Sequence, residues 1–247
     1  MSVQKFNTLE LSAQLLRALD DVGYTEMTPI QAACIPVLLS GQDLIGQSKT
    51  GSGKTAAFVI PILQKINISI KQPQALILCP TRELCDQVLR ECQKFSKYYA
   101  NLKIVSLVGG QPYPPQNEAL MNGVHLIIGT PGRTLEHLTF GQVKLSQLKT
   151  FVLDEADRLL DDGFADEMNA IIDLLPKKRQ TVFFSATFSA SIEALSQQHQ
   201  VQAQKISIND SAPGSAMIQQ YLYSAEKPQK IETLMQILQQ HQLKLNQ

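Results

Sequence analysis

The sequence predicts an α/β fold of three layers, in which helices flank a doubly wound parallel sheet. Three observations lead to this fold class. Short apolar runs of about five residues recur along the chain, helical segments of about 10–15 residues separate most of them, and most runs are apolar throughout rather than alternating. Continuous apolar strands are typical of a parallel sheet that is buried on both faces. We therefore expect right-handed crossovers, with ligand sites at the carboxyl ends of the strands.

The composition is that of a globular chain rather than a polycation or a membrane protein. Of 247 residues, 44% are hydrophobic and 18% are charged, and the 22 Lys and Arg balance the 22 Asp and Glu. Zero net charge argues against a protein that coats nucleic acid, although it allows a local basic patch. The sequence begins without an apolar leader, and its longest apolar run, residues 56–63, is too short for a bilayer. We expect a soluble, cytoplasmic and monomeric protein with no membrane contact.

Neither the cysteines nor the histidines have the spacing of a metal site. The four cysteines form no CxxC motif and no pairing with histidine, so we expect reduced thiols. They are Cys34, Cys79, Cys85 and Cys92. The four histidines also lack ligand-like spacing. The basic run KKR at residues 177–179 is expected to be a solvated loop rather than a binding patch.

Two helices are predicted before the first strand. Leucines at helical spacing predict an amphipathic helix that ends near Gly23. These leucines are Leu9, Leu11, Leu15, Leu16 and Leu19. Thr28 and Pro29 then start a second helix, with Thr28 as the N-cap and Pro29 at the first helical position.

Six strands and a possible seventh follow the two helices. They are predicted at residues 43–47, 75–79, 103–108, 124–129, 150–154 and 181–185, with the further one at 205–208. The composition of NDSAPGSA after about residue 209 predicts a linker. A strand-like IQQYLYS and a helix-like IETLMQILQQHQ come next. We expect one domain over residues 1–208, and over 209–247 a linker and the truncated start of a second domain.

A phosphate-binding loop is predicted directly after the first strand. SKTGSGKT fits the pattern G-x-x-x-x-G-K-[ST], except that Ser48 replaces the first glycine. Gly51 and Gly53 allow inward-pointing N–H groups, and the following helix adds its positive dipole. Lys54 is expected to reach the β- and γ-phosphates, and the Thr55 hydroxyl to coordinate Mg²⁺. The alternative is a Gly- and Ser-rich turn before a helix. The predicted nucleotide-binding residues here are Ser48, Lys49, Thr50, Gly51, Ser52, Gly53, Lys54 and Thr55.

A second component of this site is predicted at FVLDE, residues 151–155. The apolar strand delivers Asp154 at its carboxyl end, where it would hold Mg²⁺, partly through water. Glu155 is placed to orient and deprotonate the attacking water. The alternative is that these acids only open a helix, where negative charge is favourable. With Lys54, these residues are the predicted catalytic set.

The residues around this acidic pair resemble the N-terminal RecA-like domain of the DEAD-box ATP-dependent RNA helicases. Residues 154–157 spell DEAD, and six further motifs stand in family order. They are Phe6 with GYTEMTPIQ (23–31) as the Q motif, SKTGSGKT (48–55) as motif I, PTREL (80–84) as Ia, Gly109-Gly110 as GG, TPGR (130–133) as Ib and SAT (185–187) as III. The resemblance covers residues 5–208. KTGSGKTAAF, LCPTREL and VGGQP are most similar to the bacterial DbpA branch.

The resemblance implies that the nucleotide is ATP and that its base is adenine. Gln31 would read the adenine edge through its amide, a pairing that Asn and Gln side chains make with adenine. Tyr24 offers a ring on which a base can stack, and Phe6 supports the same site. Without the resemblance, Tyr24 and Gln31 would be ordinary neighbours of a helix cap.

The resemblance also implies RNA contacts and a coupling element. PTREL and TPGR each place a hydroxyl, an arginine and free N–H groups where a strand meets a helix, which suits a phosphodiester backbone without base readout. The alternative is two ordinary capped helices. The predicted RNA-binding residues are Pro80, Thr81, Arg82, Gly110, Thr130 and Arg133. Asp157, Ser185 and Thr187 would couple the nucleotide state to the RNA state; for these two hydroxyls the alternative is an ordinary strand-end turn.

Three functions are compatible with these motifs. The first is an enzyme that hydrolyses ATP with Mg²⁺ to separate RNA strands or remodel RNA–protein assemblies, and the second is an ATP-gated RNA clamp. The third is a DNA-directed or generic phosphate-loop ATPase, against which Gln31 counts. In the family, an arginine from a second RecA-like domain of the same chain completes the ATP site. No HRxGR-like stretch occurs in these 247 residues, so we expect this chain alone to be nearly inactive.

Overall fold

The computed structural model describes residues 4–49, 51–208 and 221–240. The chain separates into two compact units, residues 1–210 and residues 211–247. The first unit carries every motif discussed above. The assignment of the second unit to the start of another RecA-like domain stays a prediction.

Two helices precede the sheet, as predicted, but the first is shorter at its start. A 3₁₀ turn at Phe6–Thr8 is followed by helix α1 (Ala13–Asp21) and helix α2 (Pro29–Leu39). Ser12 caps α1 because its hydroxyl accepts a hydrogen bond from the Leu15 N–H at 3.3 Å. Leu9 and Leu11 therefore lie outside the helix, although Leu11 still packs into the core.

All seven predicted strands are present, with ends that shift by at most two residues. They are β1 (Leu44–Gln47), β2 (Ala75–Leu78), β3 (Ile104–Leu107), β4 (Leu126–Gly129), β5 (Thr150–Leu153), β6 (Gln180–Ser185) and β7 (Gln204–Ser207). The helices between and after them are α3 (Lys54–Lys65), α4 (Arg82–Phe95), α5 (Tyr113–Met121), α6 (Pro131–Thr139), α7 (Ala156–Asp161), α8 (Ala165–Asp173) and α9 (Ala190–His199).

The strands form one parallel sheet in the order β3-β4-β2-β5-β6-β1-β7. In the centre, Leu153 of β5 pairs with Phe183 of β6, and Gln47 of β1 pairs with Ser185 of β6. Because all strands run the same way, every loop that follows a strand leaves from the same edge of the sheet. We call this edge the carboxyl edge and the opposite one the amino edge.

Side chains of the sheet alternate between two apolar clusters, as expected for strands buried on both faces. On β2, Ala75 and Ile77 belong to the cluster under α1–α4, whereas Leu76 and Leu78 belong to the cluster under α5–α9. The three-layer α/β/α architecture predicted from the sequence is confirmed. Its consequence for function is a rigid sheet that presents the motif-bearing loops along the carboxyl edge.

In the second unit, a 3₁₀ turn at Lys227–Gln229 leads into helix α10 (Lys230–Gln240). The helix predicted from IETLMQILQQHQ is thus confirmed over its described part. The strand predicted from IQQYLYS is wrong for residues 221–224, which form no strand, because a strand needs a partner for its N–H and C=O groups. Its first three residues, 218–220, lie outside the described ranges. Within those ranges, no helix combines the length and apolarity needed to span a membrane.

Candidate functional site

The loop between β1 and α3 has the backbone of a phosphate cradle. Gly51 and Gly53 both have positive φ, +79° and +94°, and Gly53 is the N-cap of α3. Glycine adopts this conformation without steric cost. A Cβ at Gly53 would also overlap the side-chain amide of Gln31. Thr50, one of the predicted nucleotide-binding residues, lies outside the described residues, and Lys49 is exposed.

Ser48, which stands where the phosphate-loop pattern has a glycine, forms hydrogen bonds with other residues of the loop. It is only 3% exposed, and its hydroxyl lies 2.8 Å from the Ser52 hydroxyl. Its N–H donates to the Ser185 carbonyl at 3.3 Å. The Lys54 ammonium is buried and donates to the Ser48 carbonyl at 3.0 Å. The serine is therefore compatible with the cradle and adds a hydrogen bond across it.

The Q-motif residues meet the phosphate loop through Gln31. The Gln31 Oε1 accepts from the Thr28 N–H at 2.9 Å and the Thr28 hydroxyl accepts from the Gln31 N–H, so the two form a capping box at the start of α2. The Gln31 Nε2 donates to the Gly53 carbonyl at 3.2 Å. The capping-box role of Gln31 was not predicted from the sequence, although the spacing of Thr28 and Gln31 is its signature.

The two aromatic residues of the Q motif have different environments. Phe6 is buried at 2% exposure, and its ring centroid lies 6.0 Å from that of Tyr24. Tyr24 also packs edge-on against Phe95 of α4 and lines the cavity beside the phosphate loop. Tyr24 can therefore contact a ligand directly, whereas Phe6 supports it from behind.

Asp154 and Glu155 follow β5 and face the phosphate loop. Asp154 is 3% exposed, and its Oδ1 accepts from the Glu155 N–H at 3.0 Å. Burial raises the pKa of Asp154 to about 6, and the nearby Lys54 ammonium opposes this rise. Glu155 adopts φ 51° and ψ 53° at the N-cap of α7, a left-handed conformation that is uncommon outside glycine and concentrates at functional sites.

These groups share one cavity of about 240 Å³ at the carboxyl edge. Lys54 and Thr55 from α3 and both acids after β5 line it together with Tyr24. Three residues of α4 that were not predicted from the sequence also line this cavity: Leu84, Gln87 and Glu91. Their spacing of three and four residues places them on one helix face, and this periodicity was the available signal.

Asp157 of the DEAD sequence contacts the SAT motif, which begins at Ser185, the last residue of β6. The Asp157 Oδ2 accepts from the N–H groups of Ala186 and Thr187 at 3.0 and 3.1 Å, and from the Thr187 hydroxyl at 3.3 Å. Ser185 is fully buried, and its hydroxyl accepts from the Thr187 N–H at 3.3 Å. Because the Ser185 carbonyl also accepts from the Ser48 N–H, hydrogen bonds connect the phosphate loop, SAT and Asp157.

The first predicted RNA motif lies beside the GG motif. Thr81 caps α4, since its hydroxyl accepts from the Leu84 N–H at 3.2 Å, and Pro80 before it is buried. Arg82 is exposed and lies over Gly110, where an added Cβ would overlap the guanidinium. Gly110 has φ +72°, so both its conformation and this close approach favour glycine.

The second predicted RNA motif is built around Arg133. Thr130 is the N-cap of α6. The Arg133 Nη1 donates to the Gln111 carbonyl at 3.2 Å, its Nε pairs with Glu136 at 2.9 Å, and its guanidinium lies 5.4 Å from the Tyr113 ring centroid. Only 14% of the side chain is exposed. Arg133 therefore holds the loop before α5, and its contact with RNA stays a prediction.

The oxygen ligands available in the cavity suit magnesium bound with a nucleotide. The Thr55 hydroxyl and the Asp154 carboxylate are hard ligands that line the same space. Within the described residues, no group of three or more His, Cys, Asp or Glu side chains forms a complete metal cage. Mg²⁺ usually takes one or two protein oxygens and completes its shell with phosphates and water, so the donor set fits.

Comparison with known proteins agrees with this arrangement. The family model described as "DEAD/DEAH box helicase" matches residues 28–195. The chain is 46% identical over 238 residues to the Escherichia coli "ATP-dependent RNA helicase DbpA", covering 96% of this chain and 52% of that protein. It is 42% identical over 234 residues to the Escherichia coli "ATP-dependent RNA helicase DeaD", covering 95% of this chain and 37% of that protein. The chain thus spans about half, or less, of these relatives.

A solved structure shares the fold. A DEAD box protein from the hyperthermophile Methanococcus jannaschii matches with a TM-score of 0.79 and 34% identity, over 96% of this chain and 64% of that one. The resemblance seen in the motifs is confirmed by both comparisons. The matched family model covers more than half of the residues, and the chain therefore belongs to the DEAD/DEAH box helicase family.

Proposed function

We propose that this chain is the ATP-binding half of an ATP-dependent RNA helicase. It would bind ATP with Mg²⁺, grip an RNA backbone and hydrolyse ATP when a second RecA-like domain of the same protein closes the site. One observation carries the proposal: Lys54 of the phosphate loop and both acids of the DEAD sequence line one cavity. Family membership and the names of the relatives support ATP and RNA as the ligands.

The phosphate loop would hold the triphosphate. N–H groups around Gly51 and Gly53 and the N-terminus of α3 provide partial positive charge for phosphate oxygens. The Lys54 ammonium, which lies within the loop, would turn from the Ser48 carbonyl to the β- and γ-phosphates. Thr55 and Asp154 would hold Mg²⁺, which neutralises charge on the phosphates when bound.

Glu155 would position the attacking water and accept its proton. Its carboxylate pairs with the Arg158 guanidinium at 3.0 Å, and 15% of the side chain is exposed. Glu155 lines the same cavity as Gly51, Gly53 and Lys54 of the phosphate loop. A general base contributes about 10²–10⁴ to a hydrolysis rate.

Adenine would bind beside Tyr24 and Gln31. The Gln31 amide already has one partner on each end, Thr28 and Gly53, so a base would use the second lone pair of Oε1 and the second N–H of Nε2. A nucleotide bound here would contact the same side chain that holds the Gly53 carbonyl. Base recognition and the shape of the phosphate loop would therefore depend on one residue.

RNA would cross the same edge of the sheet. PTREL follows β2, GG follows β3 and TPGR follows β4, so these three motifs are neighbours along the carboxyl edge. They offer Arg82, the close backbone at Gly110 and the N-termini of α4 and α6, which are contacts for phosphates rather than bases. Strand separation is the leading activity of the whole protein, and an ATP-gated RNA clamp would use the same residues.

The proposal is tested by replacing Glu155 with Gln in the whole two-domain protein. This change removes the base but keeps shape, so nucleotide affinity should stay within about twofold while kcat for ATP falls about 10²–10⁴-fold. Arg158→Ala is the matched control, because it removes the ion pair and keeps the carboxylate. Surface pairs contribute little, so this control should retain turnover. Unchanged turnover in Glu155→Gln would assign the base to another residue.

A further inference from the structure

The amino edge of the sheet, opposite to the candidate ATP site, carries unbalanced positive charge. The loops that lead from a helix into each of the seven strands contain eight Lys or Arg residues and one acidic residue. The cations are Lys71, Lys97, Lys103, Lys144, Lys149, Lys177, Lys178 and Arg179, and the acid is Asp43. The whole chain has equal numbers of both charges, so this edge differs from the average surface.

Asp43 is buried, and among these cations it favours the charged form of Arg179, whose pKa it raises. It is 7% exposed, and its carboxylate oxygens accept from the Thr181 N–H at 2.7 Å and the Val201 N–H at 2.8 Å. The carboxylate thus caps the ends of two neighbouring chain segments. Lys97 pairs with Asp21, and the other seven cations of these loops form no ion pair among the described residues.

Four cations from three parts of the chain surround one open cavity of about 610 Å³ at this edge, which we call the amino-edge cavity. They are Lys65 at the end of α3, Lys149 before β5, and Lys178 and Arg179 before β6. Across the described ranges, none of the four forms an ion pair with a carboxylate. Lys65 is held by the Gln180 Oε1 at 3.2 Å, which leaves Lys149, Lys178 and Arg179 to face a ligand.

Arg179 has the geometry of an anion receptor. Its Nη1 donates to the Pro176 carbonyl at 2.9 Å, which fixes the guanidinium, and burial lowers its pKa. Its Nε is buried and has no hydrogen-bond partner among the described residues. An unpaired buried donor is costly, and the edge of a guanidinium matches the oxygens of a phosphate. Because this Nε is closed to solvent, an incoming phosphate would pair with the Nη groups of the half-buried guanidinium.

We propose that the amino-edge cavity binds the phosphodiester backbone of RNA, as a second contact away from the motif-bearing edge. The choice of RNA as the polyanion rests on the proposed function. The lining is cationic and contains no aromatic residue, which suits phosphate contacts without base stacking and lacks the aromatic anchors in which protein interfaces are enriched. The basic run at residues 177–179, expected to be a solvated loop, becomes part of a site once Lys65 and Lys149 join it.

The test compares binding of a fluorescent 12-nucleotide oligouridylate to the chain at several KCl concentrations. Lys149→Gln with Lys178→Gln should weaken binding and reduce the slope of log K against log salt by about 1.4, since each phosphate contact on a single strand contributes about 0.7. Lys5→Gln with Lys205→Gln is the matched control, since it removes the same charge from two exposed positions elsewhere. Arg179→Lys keeps the charge but loses the guanidinium. It should weaken RNA binding while changing the slope of log K against log salt by less than the value of about 0.7 for one phosphate contact.

A further variant separates this inference from the proposed function. If Arg82→Gln weakens RNA binding and the Lys149 and Lys178 double variant equals its control, the amino-edge inference is wrong and the proposed RNA surface stands. If only the double variant weakens binding, the amino edge is the RNA site and the proposed carboxyl-edge contact fails. If the Lys149 and Lys178 double variant loses binding to a polyglutamate peptide but keeps its RNA binding, the cavity is a site for an acidic protein and the inference is wrong.

Discussion

Asp157 and Thr187 are joined twice: the Asp157 Oδ2 accepts from both the backbone N–H and the hydroxyl of Thr187, at 3.1 and 3.3 Å. The two residues are 30 positions apart in sequence, and they connect the first turn of α7 with the loop after β6. A carboxylate that binds backbone N–H groups fixes the path of a loop. Any movement of the DEAD acids on nucleotide binding would therefore reach the SAT loop directly.

Replacing Asp157 with Asn should loosen this connection. The amide keeps the shape but lacks the charge that strengthens three hydrogen bonds, so we expect the free energy of unfolding to fall by about 1–2 kcal/mol. Urea denaturation of the chain measures this change. Asp161→Asn, an exposed site on the same helix, should leave stability within about 0.5 kcal/mol. Equal stability of both variants would show that the contact carries no net energy.

Gln31 should determine adenine selectivity. The chain should bind ADP more tightly than GDP, and Gln31→Ala should remove most of that preference, because a lost polar contact to a base costs about 1–3 kcal/mol. Calorimetric titration with both nucleotides measures the difference. Gln14→Ala, at an exposed position of α1, is the control. Equal affinity of the unmodified chain for ADP and GDP would contradict the assignment.

Asp154 should make the stability of the nucleotide-free chain depend on pH. Its pKa is raised to about 6 in the folded state, above the ordinary value of 3.8. The protonated carboxyl therefore stabilises the fold by at most about 3 kcal/mol. This contribution is complete below about pH 4 and is lost as the pH rises through about 6. Denaturant unfolding in EDTA gives the free energy of unfolding of the chain and of Asp154→Asn at each pH. The difference between the two pH profiles is the contribution of Asp154. Parallel pH profiles for the two proteins would rule it out.

The chain by itself should bind nucleotide but hardly turn it over. It contains Lys54, Asp154 and Glu155 but no HRxGR-like stretch, and an arginine finger contributes about 10³–10⁵ to the rate of phosphoryl transfer. ATP turnover of residues 1–247 should stay near background, with and without single-stranded RNA. Turnover that RNA stimulates strongly would mean that the catalytic set is complete within this chain.

The local features of the site could be predicted from the sequence, because their signals lie within a few residues. The glycines and the lysine of the phosphate loop indicate that loop. Thr28, Thr81 and Pro131 indicate where three of the helices begin. The apolar runs indicated buried strands, since each run is continuous. The exact start of α1 could not be predicted, because Leu9 and Leu11 match the helical period while Ser12 caps the helix after them.

The sequence by itself determined the fold class, the seven strands of the sheet and the order of the motifs along the chain. Only the tertiary structure decided which strands are neighbours. Because β6 lies between β5 and β1, the SAT loop contacts both Asp157 and Ser48. The same packing brings Lys65, Lys149 and Arg179 around one cavity. Right-handed crossovers restrict strand order without specifying it, and the order follows from side-chain packing between residues far apart in sequence, which no local pattern encodes.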